Sequence, residues 1–65
     1  MPVAHIYLLE GRTVEQKKLV IQKVTDALVE SLGSRPDSVR VLLHDVSPSD
    51  WGVAGRTLAD TGTGR

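Results

Sequence analysis

VAHIYLLEGRTVEQ, residues 3–16, carries a strand, a break and a helix start in one run. Val3, Ile6 and Tyr7 favour extended backbone, and the apolar run is too short for a typical helix. Alternation sets Val3, His5, Tyr7 and Leu9 on one face and Ala4, Ile6 and Leu8 on the other. Both faces are largely apolar, the pattern of a strand covered on two sides. Glu10-Gly11-Arg12 ends the strand. Thr13-Val14-Glu15-Gln16 then reads as a capping box. The Thr13 hydroxyl accepts from the Gln16 backbone N–H, and the Gln16 side chain reaches back to Thr13.

The helix that follows should run to about Leu32, with Gly33 just past its end and Pro36 beyond. Val14, Ile21, Val24, Leu28 and Leu32 share a stripe, widened by Val20 and Ala27, with Leu19 and Val29 outside it. That surface is wider than one sheet contact requires. Lys17 sits at the stripe edge, where its stem can pack with the ammonium in water. Residues 39–46, VRVLLHDV, form a second strand, with Arg40, Leu42, His44 and Val46 on one face. Ser47-Pro48-Ser49-Asp50 is a turn, and Trp51-Gly52-Val53-Ala54-Gly55 a short hairpin. From Arg56 the chain becomes polar and rich in Gly and Thr, so 56–65 is expected to be a loosely held tail.

Strand, helix, strand in this order gives an α+β chain built on a right-handed βαβ unit with parallel strands. One helix covers one sheet face. The other face is also apolar and has no second helix, so another copy or a partner chain is expected to cover it. The chain has 65 residues, 40% hydrophobic and 25% charged, which sets it as one small domain, 1–65. Its formal net charge is zero, which argues against a nucleic-acid reader or a polybasic membrane binder. It has no cysteine, hence no disulfide, thiolate nucleophile or Cys-based metal site. No membrane span or signal pattern is visible, and a cytoplasmic location is the expectation.

The chemistry-bearing residues are few. His5 and His44 are read as strand histidines satisfied by neighbours, since zinc would need a further ligand. No metal site is expected. Met1 is followed by Pro2, and a small second residue permits loss of the initiator Met. The mature chain then begins with a secondary amine, whose class ordinarily titrates at about 7.7–8.0. Apolar surroundings and nearby cations both lower that value, leaving a neutral base near pH 7. Arg12 follows the first strand and Arg40 opens the second among aliphatic residues. Each needs an anion, either a bound carboxylate or a local one such as Glu10 or Asp45. Trp51 either fills an interface or walls off a pocket. Arg35 and Arg56 either add positive charge to the site or solvate the surface.

Pro2-Val3-Ala4-His5-Ile6, Leu9-Glu10-Gly11-Arg12, Glu15-Gln16-Lys17, Ser38-Val39-Arg40-Val41 and Trp51-Gly52-Val53-Ala54-Gly55 fall at separations that rarely coincide. With them the chain resembles the small-subunit 4-oxalocrotonate tautomerases of the tautomerase superfamily, from Pro2 to about Gly55. The resemblance implies a cofactor-independent isomerase. Pro2 would be the general base, and Arg12 and Arg40, from different subunits, would bind and polarise the substrate. Trp51 would replace the family's usual Phe in the hydrophobic wall. It implies a homo-oligomer, a hexamer assembled as a trimer of dimers. Its substrate would be a small carboxylate-bearing 2-hydroxydienoate or 2-oxo acid, such as 2-hydroxymuconate in aromatic hydrocarbon catabolism. Two alternatives stand beside it: a non-catalytic subunit of a hetero-oligomer, and an unsaturated-acid hydratase or dehalogenase of the same superfamily. The second needs a water-activating carboxylate, and the hairpin carries Val53 there, with only Asp50 nearby.

Overall fold

The computed structural model describes residues 1–62. Its elements run β1 (Val3–Leu9), α1 (Val14–Leu32), β2 (Arg40–Val46), β3 (Gly52–Val53), β4 (Arg56–Thr57) and α2 (Leu58–Thr61). Short 3₁₀ turns occupy Pro36–Ser38 and Pro48–Asp50. The expected βαβ unit and C-terminal hairpin are both present.

β1 and β2 pair in parallel, from Val3 opposite Arg40 to Leu9 opposite Val46. Two further bonds extend the ladder: Arg40 N–H donates to the Pro2 carbonyl at 3.0 Å, and Glu10 N–H to the Val46 carbonyl at 2.9 Å. α1 begins where Thr13 Oγ1 accepts from the Gln16 N–H (3.1 Å) and Gln16 Oε1 accepts from the Thr13 N–H (2.9 Å). It ends at Gly33, whose φ of 68° places it in the left-handed region, where its N–H reaches the Val29 carbonyl.

α1 lies on the sheet through Lys17, Val20, Val24, Leu28 and Val29, which are its less exposed positions together with Thr25. Val14, Ile21 and Leu32, placed in the packing stripe from the sequence, are exposed. The stripe is rotated toward Val20 and Val29 because the sheet is only two strands wide and grips a narrow band of the helix. Lys17 differs from expectation as well. Its ammonium is bound to the Asp45 carboxylate rather than left to water.

Hairpin and tail differ in detail from the sequence reading. Gly52–Val53 pairs antiparallel with Arg56–Thr57 around Ala54-Gly55. Both turn residues have positive φ, 54° and 81°, as a tight two-residue hairpin of right-handed twist requires. The tail expected to be loose from Arg56 is therefore secondary structure through Thr61. Thr57 Oγ1 accepts from the Asp60 N–H and caps α2, and Leu58 N–H donates to the Trp51 carbonyl. The rest of that expectation, 63–65, lies outside the described residues.

Packing is incomplete. Leu9 and Val39 are the only buried hydrophobic residues among those described, while Val3, Tyr7 and Leu42 lie open on the sheet face opposite α1. The radius of gyration is 14.6 Å, against about 11 Å for a compact chain of this length. The accessible surface is 4791 Å², about 750 Å² above what a folded monomer of 7.0 kDa exposes. That excess is close to the ~800 Å² each partner contributes to a standard protein interface. Among the described residues no helix is long and apolar enough to cross a membrane.

Ala54 is the one non-glycine residue with positive φ among those described. A Cβ in the left-handed region costs roughly 1–2 kcal/mol, partly offset in glycine by greater unfolded-state entropy. Ala54→Gly is therefore expected to raise the urea midpoint by about 0.5–1 kcal/mol of stability. A lowered midpoint would mean the alanine methyl packs against something the isolated chain lacks.

Candidate functional site

The parallel ladder sorts the expected site residues onto two ends of the sheet. Pro2 and Arg40 stand together at the amino ends of β1 and β2, joined through the Arg40 N–H and the Pro2 carbonyl. Arg12 and Trp51 follow the carboxyl ends of the same strands, Arg12 three residues past Leu9 and Trp51 five past Val46. At about 3.3 Å per residue, Pro2 and Leu9 are roughly 23 Å apart. One chain therefore brings Pro2 to Arg40 and brings neither to Arg12 or Trp51. No enclosed cavity is present among the described residues of a single copy.

Each end is held by local chemistry. Met1 is 80% exposed, so its removal sacrifices no packing. Arg40 is anchored by backbone oxygens. Its Nη1 donates to the Asp37 carbonyl at 2.8 Å and to the Val39 carbonyl at 3.3 Å. The 3₁₀ turn Pro36–Ser38 presents that first carbonyl, and Ser38 Oγ closes the turn onto the Arg35 carbonyl. Carbonyls fix a guanidinium without neutralising it, so Arg40 keeps its charge and its remaining N–H groups for an anion. Neither Arg12 nor Arg40 forms an ion pair with a described carboxylate. Asp45 is taken by Lys17, and Arg35 pairs with Asp37 at 3.0 Å. The sequence had left Glu10 and Asp45 open as local partners for the two arginines, and neither serves. Arg35 is committed to Asp37 on the surface, and Arg56 lies in β4 opposite Val53.

At the other end, the Trp51 backbone is fixed twice. Its N–H reaches the Pro48 carbonyl at 3.4 Å, and its carbonyl accepts from the Leu58 N–H at 3.0 Å. The hairpin arm and α2 therefore exist in part to hold the segment that carries Trp51. This function for the residues after Arg56 is missing from the sequence reading, although Thr57-Leu58-Ala59-Asp60 has the spacing of a cap.

His5 and His44 are satisfied by neighbours, as expected, and the neighbour is each other. Their Nδ1 and Nε2 atoms are 2.9 Å apart across the strands. Among the described residues no group of three or more His, Cys, Asp or Glu side chains is placed to hold a metal ion.

A two-stranded parallel sheet with one crossover helix and an open second face defines a class of small α+β subunits, here with Pro2 and Arg40 at one end of the sheet and Arg12 and Trp51 following the other. The chain belongs to the tautomerase family: residues 2–61 match the family described as tautomerase enzyme. It is 55% identical to the 2-hydroxymuconate tautomerase of Comamonas testosteroni over 62 residues, covering 95% of this chain and 98% of that one. Among solved structures it superposes on a 4-oxalocrotonate tautomerase isozyme of Methylibium petroleiphilum with a TM-score of 0.90. The two are 49% identical over 94% of this chain and 98% of the other. A heterohexameric 4-oxalocrotonate tautomerase of Chloroflexus aurantiacus J-10-fl gives a TM-score of 0.88 at 30% identity, over 92% and 97% of the two chains. The protein is an enzyme, an isomerase of the tautomerase type.

Arg40 holds both carbonyls through Nη1 alone, which leaves Nη2 and Nε available for a planar two-point grip on a carboxylate that lysine, with its single nitrogen, cannot make. Arg40→Lys should therefore weaken competitive inhibition by a dicarboxylate on the order of tenfold, with circular dichroism unchanged. An unaltered inhibition constant would separate Arg40 from anion binding.

Proposed function

We propose that the chain catalyses the tautomerisation of 2-hydroxymuconate or a closely related 2-hydroxydienoate, with the amine of Pro2 as general base. The observation that carries this reading is the placement of Pro2 beside Arg40 while Arg12 and Trp51 sit at the far end of the same sheet. An antiparallel pair of copies would bring the far end of one chain to the near end of the other. A single kind of chain then supplies both halves, so identical copies suffice, and we take the assembly to be a homohexamer built as a trimer of dimers. The surface excess and the open sheet face support association, as does the family likeness. A cytoplasmic setting, as the sequence led us to expect, is part of the same proposal.

The reaction follows from the groups. Removal of Met1 converts the Pro2 nitrogen from a tertiary amide, which cannot take a proton, to a secondary amine, which can. Apolar cover and nearby guanidinium charge both favour its neutral form. The neutral amine takes the proton of the substrate 2-hydroxyl. Electron density moves through the conjugated chain, and the proton returns from the prolinium to a carbon further along it, leaving a 2-oxo acid. Negative charge grows on the 2-oxygen as the hydroxyl proton leaves. A guanidinium aimed there binds the transition state more strongly than the ground state. One arginine faces that end of the substrate and the other the far carboxylate, while Trp51 excludes water and keeps the amine uncharged. A positioned base contributes roughly 10²–10⁴-fold. The hydratase reading lacks support, since Val53 lies in the hairpin and Asp50 closes the turn before it.

Intact mass should show loss of Met1, and purified enzyme should ketonise 2-hydroxymuconate in an ultraviolet assay. Pro2→Ala is expected to lower kcat/KM by about 10²-fold or more without changing the oligomer. Retained activity in that variant would end the proposal.

Arg12→Ala and Arg40→Ala should divide by substrate. Whichever arginine grips the far carboxylate should cost about tenfold or more with a dicarboxylate and little with a monocarboxylate such as phenylenolpyruvate. Equal losses on both substrates would remove that assignment. kcat/KM should also fall as pH drops through the titration of the free amine, and a flat acid limb would count against an amine base.

A further inference from the structure

The open sheet face carries a feature that the catalytic reading does not use. His5 Nδ1 and His44 Nε2 meet at 2.9 Å, with ring centroids 5.1 Å apart and planes within 12°. Face-to-face stacking does not explain that separation. It is what two imidazoles joined edge to edge by an in-line N–H···N bond give, and one proton between the rings makes the bond. Tyr7 then lies over the other side of the ladder, its ring 4.6 Å from His44 and inclined by 19°. Register sets Tyr7 opposite His44 and His5 opposite Leu42. The cluster therefore sits in the middle of the face formed by Val3, Leu9, Leu42 and Val46.

Proton counting gives the pair a direction. The first added proton goes to an outer ring nitrogen and leaves the N–H···N bond in place, strengthened by the charge. A second would put donors on both facing nitrogens and break it. The geometry thus accommodates one added proton and not two. In the free chain that charge is hydrated and lies against the negative face of the Tyr7 ring. Within an apolar interface it loses its water, which disfavours the charged form.

We propose that the His5–His44 pair makes association through this sheet face proton-sensitive: copies of the chain assemble while the pair is neutral and separate as it takes up a proton. The occupant of the face is a second copy of this chain, argued from the open Val3, Tyr7 and Leu42 and from a total surface about 750 Å² above that of a compact monomer, near what one partner gives to a standard interface. The inference rests on the oligomer in the reading above. Few other charged groups surround the pair. Tyr7 and Arg40 share its face, and Glu10 and the Pro2 amine lie beyond its two ends. On the opposite side Lys17 of α1 and Asp45 are paired with each other. Arg40 adds positive charge to the same face and so opposes a second cation there. The assembled state prefers the deprotonated pair, so its stability is present at higher pH and is lost on acidification as the pair takes up a proton.

The test is mass in solution, measured by light scattering and sedimentation from pH 8 to pH 5. The wild-type chain should be a single oligomer at pH 8. Its half-dissociation concentration should rise on the order of tenfold or more by pH 5.5 and return on neutralisation. The double variant His5→Gln/His44→Gln removes both titratable rings and keeps a polar pair. This variant, if helical by circular dichroism and assembled at pH 8, should stay assembled at pH 5.5. A wild-type mass unchanged to pH 5 would overturn the proposal, as would an assembled Gln variant that dissociates with the wild-type pH dependence. A monomer at pH 8 would overturn both the oligomer and the switch, whereas an oligomer indifferent to pH would overturn the switch alone.

Discussion

A parallel strand pair with one crossover helix can cover only one of its two faces. In this chain that constraint governs almost everything else. α1 lies on Ala4, Ile6 and Leu8 and on Val41 and Leu43, and the face of Val3, Tyr7 and Leu42 is left open. Ordering a chain of this length costs on the order of 100 kcal/mol, and one thin layer of contacts is a poor return. What one layer leaves open is left to association, and the candidate site residues fall at the two ends of the sheet.

Distribution follows from the ladder. Parallel pairing gathers chain starts at one end and chain exits at the other. The proline of β1 and the arginine that opens β2 are therefore neighbours, while the residues after the strands, Arg12 and Trp51, are a sheet length away. Each end is kept in order by backbone chemistry. Two carbonyls hold Arg40 without quenching its charge, and the hairpin with α2 clamps the backbone of Trp51. Small local devices, a capping box and a left-handed glycine among them, thus set the two ends of the sheet where the candidate site residues lie.

Much of this was legible in the sequence because it is written in short-range signals. Thr13 and Gln16 announce the helix start, Gly33 its end, and the alternation of Val3–Leu9 the strand. Arg40 stands out as a guanidinium among aliphatics, Pro2 as a rigid amine once Met1 is lost, Trp51 as the lone indole, and Arg12 by its place at the junction of strand and helix. Less legible was whatever depends on three-dimensional competition. The stripe of α1 was centred on residues that include the exposed Val14, Ile21 and Leu32, because periodicity does not tell how wide a sheet the helix meets. Arg56 was assigned to a tail although it pairs with Val53, because a two-residue strand leaves no periodic trace. That Lys17 would claim Asp45, leaving both site arginines free of local carboxylates, also required the packed register.

The claim that two copies share each site is tested most directly by mixing two inactive chains. Pro2→Ala replaces the rigid secondary amine by a primary one and Arg12→Ala lacks the remote guanidinium, so each homo-oligomer should be strongly impaired. Unfolded together and reassembled, they place intact Pro2 of one chain beside intact Arg12 of the other, and a substantial part of wild-type activity should return. If the mixture forms hybrid oligomers by mass and stays as inactive as its components, Pro2 and Arg12 do not meet across copies and the account fails.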